Sequence, residues 1–220
     1  MKFLNIFKKQ NSYNQDLKDL EISKNKLKLA LDESIKTAES DINSTREFYE
    51  RMKGYGIRRF DNFLNLCLYS SLTNIDLMLL TERIRLSNRR LEKLFNARII
   101  SMTVYEYLKD ISDLLGFKLI GELNSNNYKE FIKEVKDLNS EFSTLKKNHD
   151  LLIKVIRNNA SAHKSKNALE LIHYNNNLDP NELFDIAIDV INLNIKLTKF
   201  TTKIYLKIGE EGEQNRKNSI

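Results

Sequence analysis

The sequence predicts an all-α protein, a helical bundle preceded by a long, coiled-coil-like N-terminal helix. Three observations carry that expectation. The 220 residues include one proline and six glycines, too little punctuation for the many turns of a β-rich fold. Leu, Ile, Lys, Glu and Asn dominate, a composition that suits long helices with solvated faces. Apolar residues recur three and four apart along most of the chain, the spacing that lines one face of a helix. With 41% hydrophobic residues the chain can bury a real core, which argues against wholesale disorder.

The first element spans about residues 16–52 and contains neither Gly nor Pro. Leu17, Leu20, Leu27, Leu31, Ile35, Ala38, Ile42, Tyr49 and Met52 mark its apolar seam, with Lys24 and Thr45 at two seam positions. The consecutive four-residue steps from Leu27 to Leu31 to Ile35 read as a stutter in a heptad pattern. Gly54-Tyr55-Gly56 ends it, because glycine tolerates the positive φ of a helix stop. Residues 1–56 thus form an N-terminal coiled-coil-like unit, packed in a hairpin or against a second subunit. Residues 57–208 form the helical bundle, and 209–220 a polar, disordered tail.

Within the bundle, a helix is expected over about 59–71. A second starts at a Thr73 or Asn74 cap and runs to Leu94. A third, strongly apolar helix covers about 95–115, stopped by Gly116, and a loop follows over 119–127. Tyr128 opens a long helix to about 158, with Phe131, Val135, Leu138, Phe142, Leu145 and Leu152 at helical spacing. Asp179-Pro180-Asn181-Glu182 is a strong helix start: Asp caps, Pro needs no N–H in the first turn, and Glu favours the positive end of the dipole.

The net charge is +6, which permits contact with nucleic acid or an acidic partner without demanding it. Arg83, Arg85, Arg89 and Arg90 can meet phosphate, although a solvated face is the simpler reading of that stretch. Cys67, the one cysteine, cannot form an internal disulfide and sits in an apolar run as a small hydrophobe. No Cys/His cluster has zinc spacing, so no metal site and no cofactor are expected. The opening Met1-Lys2-Phe3-Leu4-Asn5-Ile6-Phe7-Lys8-Lys9 does not read as a signal peptide, and no window approaches the length of a membrane span. A cytoplasmic location is the expectation.

One stretch carries readable chemistry: Arg157-Asn158-Asn159-Ala160-Ser161-Ala162-His163. RNA is cut without metal when its own 2′-OH attacks the adjacent phosphate. That needs a group that moves protons near neutral pH, which imidazole does. It also needs a cation against the charge that builds on phosphorus, and a guanidinium's planar fork suits that role. Arg157 and His163 are the candidate catalytic pair. Asn158 can donate to a phosphate or ribose oxygen, or orient the imidazole. Glu106 and Asn159 are candidate supporting residues. The structural alternatives are an Arg157 that caps a helix C-terminus, a surface His163 and a solvent-facing Glu106. His149 and His173 lack a partner pattern.

The form R-N-x-x-x-A-H, after a long helix ending in Val155-Ile156 and before another helix, resembles the HEPN superfamily, whose mark is an Arg followed after four to six residues by His. The resemblance covers about 95–208. It implies a metal-independent endoribonuclease, or a non-catalytic relative that binds RNA, a nucleotide or a protein. It also implies a homodimer whose two motifs face one cleft, a toxin or abortive-infection role in phage defence, and an antitoxin or inhibitor partner. Helix geometry adds a condition. Six residues span about one and two-thirds turns, so Arg157 and His163 do not share a face of an unbroken helix. Either the helix breaks near Asn158-Asn159 or the pair acts across two subunits.

Overall fold

The computed structural model describes residues 2–54, 59–156 and 177–217, together with Leu169. Among these the protein is all-α, without strands. Its helices are α1 (Lys2–Gly54), α2 (Asp61–Leu86), α3 (Arg90–Leu114), α4 (Phe117–Ser125), α5 (Ile132–Ile156) and α6 (Pro180–Lys217), with a 3₁₀ turn at Lys129–Phe131 before α5.

α1 starts well before residue 16 and is continuous from Lys2. Its predicted seam is real over the second half. Leu31, Ile35, Ala38, Ile42, Thr45, Tyr49 and Met52 are all partly buried, while the positions between them face solvent, apart from Asp32 and Phe48. Between 21 and 30 every described side chain is exposed. α1 therefore lies along the body from about Leu31 onward. Residues 21–26 run on beyond it, their described side chains all exposed.

α2 overturns one expected boundary. Thr73 caps nothing; its hydroxyl donates to Tyr69 O one turn back, at 3.0 Å, so the helix passes straight through Thr73-Asn74. The break falls at Ser87-Asn88-Arg89 instead. Ser87 is extended (φ −70°, ψ 136°), its Oγ accepts the Arg89 N–H at 3.0 Å, and it donates to Glu92 at 2.8 Å. The expected loop over 119–127 is mostly helix α4, held because Leu119 and Leu123 are wholly buried. Asn127, at φ 65°, makes the turn that ends it, a conformation Asn adopts more readily than most residues. The Asp179 cap forms as expected, its carboxylate accepting the Asn181 N–H at 2.9 Å.

α6 continues through Gly209 to Lys217, within the stretch expected as a tail; residues 218–220 lie outside the described residues. Contacts to the body reward that extension: Glu211 accepts from the Tyr128 hydroxyl at 2.8 Å and pairs with Arg59 at 3.4 Å.

α2, α3, α5 and α6 form the bundle, with α1 laid against α2. Phe63, Leu66, Ile100, Ile111, Phe142, Val190 and Phe200 meet in its interior. α5 and α6 run antiparallel, in a register marked by Lys207 on Glu130, Lys203 on Glu134 (2.7 Å) and Lys196 on Glu141. These pairs are exposed, so they fix register more than they add stability. The same register brings Ile156 to the level of Pro180. One end of the bundle thus gathers the α2–α3 turn, the end of α5 and the start of α6. Lys28 and Asp32 of α1 reach Arg83, Ser87 and Arg89 there, so the projecting half of α1 leaves from that end.

α2 is long and apolar enough, by length and composition alone, to cross a membrane, although the sequence reading finds no such window. Its apolarity has a simpler cause: α1, α3, α4 and α6 all pack on it, and Phe63, Leu64, Leu66 and Leu77 are almost wholly buried.

Candidate functional site

Arg157, Asn158, Asn159 and His163 lie outside the described residues. α5 delivers the chain at Ile156 and α6 takes it up at Pro180, so the segment that carries the motif links two core helices at one end of the bundle.

That end is basic. Arg83, Arg85, Arg89 and Arg90, at the close of α2 and the start of α3, are all exposed. Further along α3, Phe95 is 53% exposed, and the Arg98 guanidinium sits 5.9 Å from its ring centroid. An exposed ring beside a guanidinium is a feature on which a single-stranded nucleic acid can stack. The arginines are legible in the sequence as a basic run; Phe95, five residues after Arg90, lies about 7 Å further along α3. On the neighbouring α5, Lys146, Lys147 and Lys154 line a cleft with Ser112 of α3. Lys154 donates to Asp150 at 2.6 Å, and that hydrogen bond raises its pKa.

Leu91, Phe95 and Met102 follow one another on α3 as an exposed stripe, and Leu151 of α5 is 79% exposed. Such an exposed apolar stripe is a candidate contact surface.

Glu106 lies on α3, its carboxylate 3.7 Å from Lys109 on the same helix. Its charge also acts on Tyr69 of α2, whose hydroxyl donates to Asp110 at 3.1 Å. Burial, then the Asp110 bond, pushes the Tyr69 hydroxyl up to about 12. Deeper in, the Tyr107 ring stacks on Tyr69 at 5.7 Å and its hydroxyl donates to Asn194 Oδ1 of α6. This polar seam ties α2, α3 and α6 together. No group of three or more His, Cys, Asp and Glu side chains suited to a metal ion occurs among the described residues.

No family model, no curated protein and no solved structure matches the chain.

Proposed function

We propose that the protein is a metal-independent endoribonuclease of HEPN type. The observation that carries this reading is the R-N-x-x-x-A-H stretch, Arg157 to His163, in the link between two long helices. The exposed arginines and Phe95 at the same end of the bundle support it, since they offer phosphate contacts and a stacking surface to an RNA strand.

In this reading His163 moves the proton of the ribose 2′-OH, and the freed oxygen attacks the adjacent phosphorus. A bond from O2′ to phosphorus forms, the bond to O5′ breaks, and O5′ leaves with a proton. The products are a 2′,3′-cyclic phosphate and a 5′-hydroxyl. Arg157 stabilises the phosphorane, and Asn158 holds a phosphate or ribose oxygen or the imidazole. One imidazole cannot be base and acid in a single step. A homodimer with two facing motifs resolves this. A cytoplasmic toxin or phage-defence effector held in check by an inhibitor protein fits such an activity.

Expression of wild type and His163→Ala in a host tests the proposal. Growth arrest and RNA breakdown with wild type, and neither with the variant, are expected. Intact RNA with both proteins, each shown to be folded and dimeric, would count against an enzyme. It would favour a second reading, a non-catalytic HEPN-like binding module, for which the projecting half of α1, with exposed Ile22 and Leu29, is the supporting observation.

A further inference from the structure

We propose that the groove between α3 and α5 holds the phosphate backbone of a single-stranded RNA, running from the end of α5 toward Ser112 and Ser143. The choice of RNA rests on the nuclease reading and gives that reading a path for its substrate.

α3 and α5 pack against each other. Arg98, Tyr105 and Ser112 are spaced by seven residues, so they follow one edge of α3. That edge faces α5. Ser112 lines a cleft with Ser143, Lys146, Lys147, Asp150 and Lys154, and Tyr105 lies close enough to Lys154 to act on its charge. The α5 residues recur three and four apart, so one face of the helix carries them over about 16 Å. Lys154 stands two residues before the end of α5 at Ile156, where the chain passes into the link that bears the motif.

The cleft favours negative charge. Among the described residues Asp150 is the one acid lining it, and Lys154 already pairs with it at 2.6 Å. Lys146 and Lys147 pair with no described carboxylate. Lysines on the α5–α6 side differ: Lys196 is committed to Glu141, and Lys203 to Glu134. Ser112 and Ser143 donate to no described group, so their hydroxyl protons remain for phosphate oxygens. No apolar side chain lines the cleft, whereas a stable protein partner buries an apolar centre, so a strand of phosphates fits better than an acidic protein. Such contacts hold and orient a strand without reading its sequence. Toward the start of α3 the same edge brings in Arg98, whose guanidinium lies beside the half-exposed Phe95 ring, a surface for a base to stack on.

Fluorescence anisotropy of the full chain with a labelled 2′-O-methyl oligouridine tests the proposal. Its blocked 2′ oxygen cannot attack phosphorus, so binding is read without cleavage and the two readings fail separately. Wild type should bind saturably, and more weakly as salt rises. Lys146→Gln with Lys147→Gln should weaken binding about tenfold at about 0.1 M salt and reduce the slope of log affinity against log salt by about 1.4, two phosphate contacts at about 0.7 each. Asp150→Asn removes the lining acid and should strengthen binding about threefold, which damage to the fold would not do. Lys196→Gln with Lys203→Gln removes the same net charge from the α5–α6 side and should change affinity less than about twofold. All variants should keep the wild-type circular dichroism. Equal losses from the two lysine pairs, an unaltered salt slope, weaker binding by Asp150→Asn, no saturable binding of the probe, or its displacement by poly-glutamate at equal charge would each overturn the proposal. Cleavage of ordinary RNA alongside any of these would leave the nuclease reading standing without this path.

Discussion

The Glu122 carboxylate caps a helix to which it does not belong. Its Oε1 accepts the Phe63 N–H at 2.8 Å, and its Oε2 accepts the Asn62 N–H at 2.8 Å and the Asn62 side-chain amide at 2.9 Å. Phe60, at the cap position of α2, supplies no side-chain hydrogen bond of its own. A residue of α4 thus satisfies the free N–H groups that every helix start leaves, in a place closed to water. Glu122→Ala should lower unfolding free energy by about 2–3 kcal/mol, because charge-assisted bonds are lost and buried donors are left unpaired. Glu122→Gln, which keeps one of the two acceptor oxygens, should cost less. Urea denaturation followed by circular dichroism measures both.

The same group sets a pH dependence. Burial pushes the Glu122 carboxyl up, and the hydrogen bonds from Asn62 and Phe63 only partly offset it. The unfolded chain releases this proton near the ordinary glutamate value, while the folded chain holds it to higher pH. Between those two points the folded state binds more protons, so this group's contribution to stability is full below the unfolded value and is lost as pH rises through the folded one. Wild type should therefore gain on Glu122→Gln as the pH is lowered from neutrality toward the ordinary glutamate value. Denaturation midpoints across that window check the sign; a gap that moves the other way contradicts it.

Tyr107→Phe should cost about 1–3 kcal/mol although it removes a single oxygen. The loss strands Asn194, 2% exposed, whose Nδ2 already lacks a partner among the described residues. Combining it with Asn194→Leu should recover part of the loss, because removing both polar groups is gentler than orphaning one. Thermal unfolding of the two single variants and the double variant closes the cycle.

How far the fold is legible in the sequence depends on the range of the interaction that sets each element. The α1 seam from Leu31 to Met52 and the Asp179-Pro180 start are local patterns, and both stand as read. The α2–α3 break was misplaced because Thr73-Asn74 looks like a cap, while its hydroxyl bonds back within the helix; Ser87 makes the true break through short-range contacts with Arg89 and Glu92. α4 hid behind Gly121 and the Asn124–Asn127 cluster, since only tertiary burial of Leu119 and Leu123 holds it. Glu122 could not be read as a cap, because its partners lie 59 and 60 residues away in sequence. The final turns of α6 are secured by Arg59 and Tyr128, more remote still at 152 and 83 residues. Of the candidate site, Glu106 alone lies within the described residues, beside Lys109.

α1 should respond to substitution in two distinct ways along its length. Ile42→Asp, on the partly buried seam, should cost about 2 kcal/mol and loosen α1 from α2. Ile22→Lys, in the projecting half, should change stability by no more than about 0.5 kcal/mol. Hydrogen exchange of the two variants separates the outcomes: faster exchange along residues 31–52 is expected only for Ile42→Asp.

The most direct test of the nuclease reading is cleavage of a labelled RNA oligonucleotide by the purified protein in excess EDTA, with product ends identified by mass spectrometry. The account predicts 2′,3′-cyclic phosphate and 5′-hydroxyl ends, no cut at a position carrying a 2′-deoxy sugar, and no cleavage by His163→Ala or Arg157→Ala. Cleavage that persists at the 2′-deoxy position, or in His163→Ala, would contradict it.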